Sequence, residues 1–186
     1  IEQKTGNPAK MSKKVAEYAE TRRPQRLSPS YKLPPFDKII TVLEKYDLLP
    51  AIFFLKSRAD CDNALELCTE MMAEDPERKE LLSQRIEELV STNPRTARHR
   101  QMWMLENLMV GAHHSGQLPA WKLLLETLMT EGLLTAVFAT STVSAGVNFP
   151  ARTVVFLNTD RFNGTEFMPL SSTEFHQMTG RAGRRG

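Results

Sequence analysis

Pro50-Ala51-Ile52-Phe53-Phe54-Leu55-Lys56-Ser57-Arg58-Ala59-Asp60 is an uninterrupted apolar run that gives way to a polar, turn-forming cluster. A strand with one wet face alternates apolar and polar residues. Ala51–Leu55 has no polar position, as expected of a parallel strand covered on both faces. After Ser57-Arg58-Ala59-Asp60 the spacing predicts a helix running through Cys61, Leu65 and Leu67 to about Met71. Upstream, Phe36, Ile39, Ile40, Leu43 and Tyr46 have the three-and-four spacing of a helix packed on a core. Downstream, Val110–Ala112, Thr135–Ala139 and Thr153–Leu157 read as further short strands, and a helix is expected from Pro119, favoured in a first turn, to Thr130. Strands alternating with helices imply an α/β fold whose mostly parallel sheet carries helices on both faces.

Around this core, residues 1–35 are polar and basic, with Arg22-Arg23-Pro24 and Pro34-Pro35, and read as an extended lead-in. Residues 36–186 form the expected domain, and 70–110 a helical insertion broken at Asn93-Pro94. Ile1 in place of a methionine, and an Arg-Gly run at the other end, lead us to expect a piece of a longer polypeptide. The 24 basic and 22 acidic residues nearly cancel, so any nucleic-acid surface must be local rather than global. Cys61 and Cys68 suit two small apolar side chains in a reducing compartment better than a disulfide or a zinc site. No apolar run has the length of a membrane span, and a cytoplasmic location is expected.

Three polar clusters follow directly on predicted strands: Ser57-Arg58, His113-His114-Ser115-Gly116 and Thr140-Ser141-Thr142. In a parallel sheet all three line one edge, where hydroxyls, a ring and a guanidinium can hold a phosphodiester backbone. Each is also an ordinary cap or turn residue type. Adjacent histidines point apart in a strand and no thiol or carboxylate stands near them in sequence, so no metal site is expected. The chain closes on Gln177-Met178-Thr179-Gly180-Arg181-Ala182-Gly183-Arg184-Arg185-Gly186. Arginine forks match phosphate oxygens, and glycine lets backbone approach them closely. Ser171-Ser172-Thr173-Glu174 has the form of a capping box, so a helix should begin near Ser172 and carry Gln177, Arg181 and Arg184 on one face if it extends that far. A solvated basic tail is the bland alternative for the same residues.

Ala139-Thr140-Ser141-Thr142 followed by Ala145-Gly146-Val147-Asn148-Phe149-Pro150-Ala151-Arg152-Thr153-Val154-Val155-Phe156 resembles motif five of superfamily-two helicases, and Gln177–Gly186 resembles motif six. Ala51–Asp62 is similar to the motif-four region, and His113–Gly116 to the segment between motifs four and five. The pattern is that of the superkiller-like DExH branch, and it covers most of 36–186 in the correct order. It implies the second RecA-like lobe of such an enzyme, a three-layer α/β/α domain.

By this resemblance Arg181 and Arg184 reach across an interlobe cleft to ATP phosphates, with Arg184 the arginine finger. Gln177, Gly146 and Asn148 border the nucleotide. Thr140 and Thr142, and more loosely Ser57, Arg58 and His114, touch the nucleic-acid strand. The implied cofactors are ATP and Mg2+, held mainly by a first lobe. The implied partners are that lobe and a single strand, RNA favoured over DNA, with no membrane. No G-x-x-x-x-G-K-[ST] string and no D-E-x-H box occurs, so the chain is expected to hydrolyse no ATP by itself. A non-catalytic nucleic-acid-binding or regulatory module that keeps the fold is the alternative.

Overall fold

The Ala51–Leu55 run is strand β1, and every one of its residues is buried. The computed structural model describes residues 34–68, 75–141, 149–162 and 165–180, all within a unit that begins at Pro34. Helix α1 (Phe36–Lys45) precedes β1, and α2 (Arg58–Glu66) follows it. Then come α3 (Pro76–Thr92), a 3-10 helix (Pro94–Arg98), α4 (Met102–Leu108), β2 (Val110–His113), α5 (Pro119–Thr130) and β3 (Ala136–Thr140). Strands β4 (Thr153–Phe156), β5 (Asp160–Phe162) and β6 (Phe167–Pro169) and helix α6 (Ser172–Thr179) complete the described elements.

The four longer strands form one sheet in the order β2-β3-β1-β4, with every pairing parallel. Ala51 lies beside Ala136 and Thr153, and Val110 beside Ala136. Alternate side chains of each strand serve opposite faces. On one face Phe36 of α1 meets Phe53 edge-on at 5.5 Å and Phe138 at 4.9 Å, and the buried Cys61, Ala64 and Leu65 of α2 belong to the same core. On the other, Ile52, Phe54, Val137 and Ala139 join one cluster with Leu82 and Ile86 of α3, Leu105 of α4, Trp121 and Leu128 of α5, and Met178 of α6. Full burial of one such side chain is worth about 1.5–3 kcal/mol, so helices α3 and α4 are integral to the second core layer. This is the RecA-like three-layer α/β/α arrangement expected from the sequence.

Local chemistry sets the element ends. Asp75 caps α3 by accepting the Arg78 N–H at 2.9 Å, with Pro76 in the first turn. Helix α5 stops where Gly132 takes φ +73°, and the N–H groups of Gly132 and Leu133 donate to the carbonyls of Met129 and Leu128. Helix α4 turns straight into β2 through Met109, held at φ 54°. Gly111 leaves room for α5 over β2, since a Cβ there would lie 2.5 Å from Leu125 Cδ2.

Two expectations need correction. Helix α2 ends at Glu66 rather than near Met71, because the Cys68 N–H donates to Leu65 O and draws the chain out of α geometry. The antiparallel hairpin of β5 and β6, pairing Asp160 with Pro169 and Phe162 with Phe167, was not anticipated, because three-residue strands carry too little periodicity to read.

Candidate functional site

Because the sheet is parallel, the carboxyl ends of β1, β2, β3 and β4 share one edge, and the predicted clusters at Ser57-Arg58, His113–Gly116 and Thr140-Ser141 come together there. From β1 the chain crosses to β2 on one side of the sheet. Strand β4, which follows β3 in the chain, lies on the far side of β1. Neighbouring strand ends whose connections diverge leave a crevice between them, and ligands of open α/β sheets bind in such crevices.

Ser57 begins the site as the cap of α2, its Oγ accepting the Asp60 N–H at 3.1 Å and donating to Asp60 Oδ2 at 2.8 Å. Arg58, the next residue, is exposed, and its guanidinium has no hydrogen bond or ion pair among the described residues. Its stem runs beside the loop after β2, where a Cβ on Gly116 would lie 3.4 Å from Arg58 Cδ and 3.1 Å from His114 Nδ1. Thr140 lies beside Leu55 in the sheet register, and both Thr140 and Ser141 are buried.

His114 is only 4 % exposed and works inside the loop rather than at its surface. Its Nδ1 accepts the Gly116 N–H at 3.1 Å, so in the neutral ring the proton sits on Nε2 and is donated to Asp62 Oδ1 at 3.3 Å. Asp62 also accepts from Gln101 Nε2 at 2.7 Å and from the Arg100 guanidinium. Gln101 Oε1 accepts the Ala112 N–H of β2, and Gln117 Oε1 accepts from His99 Nε2 at 2.9 Å. The His99 ring lies flat on Trp121, with centroids 3.7 Å apart. One carboxylate thus ties together α2, the approach to α4 and the loop after β2. Burial pushes the His99 pKa below its ordinary value, with the Gln117 hydrogen bond opposing.

His113, the last residue of β2, donates from Nε2 to Glu126 Oε1 at 2.8 Å and stands edge-on to Phe149 at 5.0 Å. Its Nδ1 is buried without a partner, and burial holds its pKa below the usual range against the pull of Glu126. Beyond β4, Asn158 is 7 % exposed with neither amide atom satisfied. Among the described residues no three His, Cys, Asp or Glu side chains cluster as a metal site, and no helix is long and apolar enough to cross a membrane.

Helix α6 begins with the expected capping box: Ser171 Oγ accepts the Glu174 N–H at 3.2 Å, and the Ser171 N–H donates to Glu174 Oε2 at 2.9 Å. Buried Met178 and the packing of Phe175 on Phe156, 5.0 Å apart, seat the helix against β4 and leave Gln177 exposed. The helix ends at Thr179 with Gly180 as its C-cap. Arg181 and Arg184, together with Thr142, Gly146 and Asn148, lie outside the described residues.

Asp62, His99, Gln101 and Gln117 did not stand out in the sequence. Gln117 lies three residues past His114, but nothing local marks Asp62 as its partner, since Asp60-Cys61-Asp62 reads as an acidic first turn of a helix.

No family model matches the chain. Individual proteins do. The probable helicase HelY of Mycobacterium tuberculosis is 39% identical over 181 residues, 93% of this chain and 20% of that protein. The exosome RNA helicase MTR4 of Homo sapiens is 39% identical over 153 residues, 80% of this chain and 15% of the relative. The DExH-box ATP-dependent RNA helicase DExH9 of Arabidopsis thaliana is 35% identical over 153 residues, 80% and 16% of the respective lengths. The chain therefore spans a fifth or less of these relatives. On these matches and this fold, the chain belongs to the superkiller-like DExH branch of the superfamily-two helicases.

Proposed function

We propose that this chain is the second motor lobe of an ATP-dependent RNA helicase, gripping one strand at the carboxyl edge of its sheet and supplying arginines to a nucleotide held mainly by another lobe. The observation that carries the reading is Arg58, exposed and without a hydrogen bond or ion pair among the described residues, standing beside the loop after β2 on the edge where β1, β2 and β3 end, in a chain several of whose relatives are named as RNA helicases. Phosphate and sugar contacts of this kind fix register without reading sequence, as a translocating grip requires.

Within that reading Arg58 and Thr140 hold the strand, with Thr142 beyond the described residues. Ser57 caps the helix that presents Arg58, and His114 shapes the loop beside it. Gln177 is exposed on the last turn of α6, and Arg181 and Arg184, beyond the described residues, would reach the nucleotide together with it, with Gly146 and Asn148 bordering the same nucleotide. A guanidinium placed on a transferring phosphoryl group offsets the negative charge that develops in the transition state. By the family resemblance, Mg2+ and most of the nucleotide would be held by the other lobe. Two free, buried thiols fit a reducing compartment such as the cytoplasm.

The test uses the full-length protein with Arg184→Ala. Retained strand affinity with RNA-stimulated ATP turnover lowered about 10³-fold or more is expected of an arginine finger. Unchanged turnover would hand the domain to the alternative, a non-catalytic strand-binding or regulatory module.

A further inference from the structure

Outside the strand-end loops, the described surface carries a second cationic feature that no motif reading absorbed. Between Leu89 and Leu105 the chain has no acidic residue but holds Arg95, Arg98 and Arg100. The 3-10 helix Pro94–Arg98 turns Thr96 inward, 3 % exposed with its hydroxyl donating to Asn93 O at 2.6 Å. Residues three apart eclipse one another in a 3-10 helix, with about 6 Å of rise between them. Arg95 and Arg98 therefore stand on one ridge. Both are exposed, and neither makes a hydrogen bond or ion pair among the described residues.

The ridge is fixed relative to the candidate grip. Directly after it His99 bonds Gln117 of the loop after β2, and Arg100 and Gln101 bond Asp62 of α2, the helix whose first residue is Arg58. A mobile basic tail needs no such anchoring. Two unneutralised guanidinium groups held on the same edge as Arg58 lengthen the cationic surface beyond β2, the outermost strand on that side.

We propose that Arg95 and Arg98 form a phosphodiester-binding ridge that extends the single-strand track past the loops at the ends of β1, β2 and β3. The proposal rests on the strand-gripping reading above. An acidic protein segment is the competing ligand for such a patch. Continuity with Arg58 along one edge favours the nucleic acid, because a polyanion that runs on from the crevice meets the ridge next.

The experiment measures binding of a labelled single-stranded RNA of uniform sequence to the full-length protein by fluorescence anisotropy across a salt series. Wild type is compared with Arg95→Ala/Arg98→Ala and Arg95→Lys/Arg98→Lys. Each phosphate neutralised contributes about 0.7 to the slope of log affinity against log salt for single strands, so loss of two should flatten the slope by about 1.4. That corresponds to affinity weakened on the order of tenfold at 100 mM salt, and to a penalty that shrinks about sevenfold between 50 and 200 mM. The lysine pair, which keeps the charge, should retain most of the slope. If the alanine pair binds with wild-type affinity and slope, the ridge proposal is wrong and the patch passes to an acidic protein partner. If wild type binds no strand, the motor-lobe reading falls first, a result separable from failure of the ridge alone.

Discussion

Removing the Asp62 carboxylate by Asp62→Ala tests whether the network around His114 is structural machinery or incidental contact. The carboxylate accepts three donors, of which Gln101 and His114 are 3 % and 4 % exposed, while the Arg100 side chain is 66 % exposed. Arg100 can return to water, and such exposed pairs contribute about 0–1 kcal/mol. The two buried donors cannot, and a buried donor stranded without a partner costs about 1–3 kcal/mol. The Asp62 side chain itself is 23 % exposed, so water can enter its place and recover part of that loss. The expected destabilisation is therefore about 2–4 kcal/mol, with Asp62→Asn intermediate because it keeps one acceptor oxygen. Urea denaturation followed by far-ultraviolet circular dichroism reads this directly. With a slope of roughly 2 kcal/mol per molar, the midpoint should fall by about 1–2 M at unchanged slope. A double-mutant cycle with His114→Ala should be non-additive, because both changes strand the same hydrogen bond. A midpoint shift under about 0.3 M, or strict additivity, would refute the network as a stabilising unit.

Three further outcomes follow from the same structure. Gly111→Ala should destabilise by about 1–3 kcal/mol, since its Cβ would press on fully buried Leu125, and the double variant with Leu125→Ala should cost less than the sum of the singles in the same urea assay. Stability should be complete above about pH 6.5 and fall as the pH drops below it: burial lowers the folded-state pKa of His99 and His113, so the unfolded chain binds more protons in that window. Each histidine adds at most about 1.4 kcal/mol per pH unit, and a flat midpoint between pH 7 and 5 would contradict this. Burial pushes the Cys68 thiol up to about 12 and raises Cys61 as well, so neither should react with a thiol reagent at pH 8 until the chain unfolds; labelling of the native protein within minutes would show one of them to be accessible.

Much of the fold was readable because the relevant interactions are local. Ala51–Leu55 has no polar position, and the strand is covered on both faces. Pro119 marks the first turn of α5 by the chemistry of helix ends, and the Ser171 and Glu174 pair marks the start of α6. The hairpin of β5 and β6 escaped notice although Asn163-Gly164, a hairpin-favouring dipeptide, lies between its strands, because each strand is only three residues long. The candidate site was legible as three polar clusters on one edge, but not in its division of labour. His114 has the residue type of a strand contact and the environment of a loop brace. Arg95 and Arg98 looked like part of a charged helical stretch until the 3-10 geometry stacked them on one ridge.

From the sequence by itself came the alternation of strands and helices, their parallel arrangement and the helix caps, which are written in spacings of a few residues, and, through the resemblance of its motifs, the helicase family. Tertiary structure alone decided the order β2-β3-β1-β4, and with it which strand ends stand side by side at the carboxyl edge. It also decided that Asp62 would find Arg100, Gln101 and His114, residues 38, 39 and 52 positions away. The physical reason is one of range. Periodicity and capping act within a helical turn, whereas the choice of a half-buried carboxylate's partners depends on which donors the packed core shuts away from water beside it.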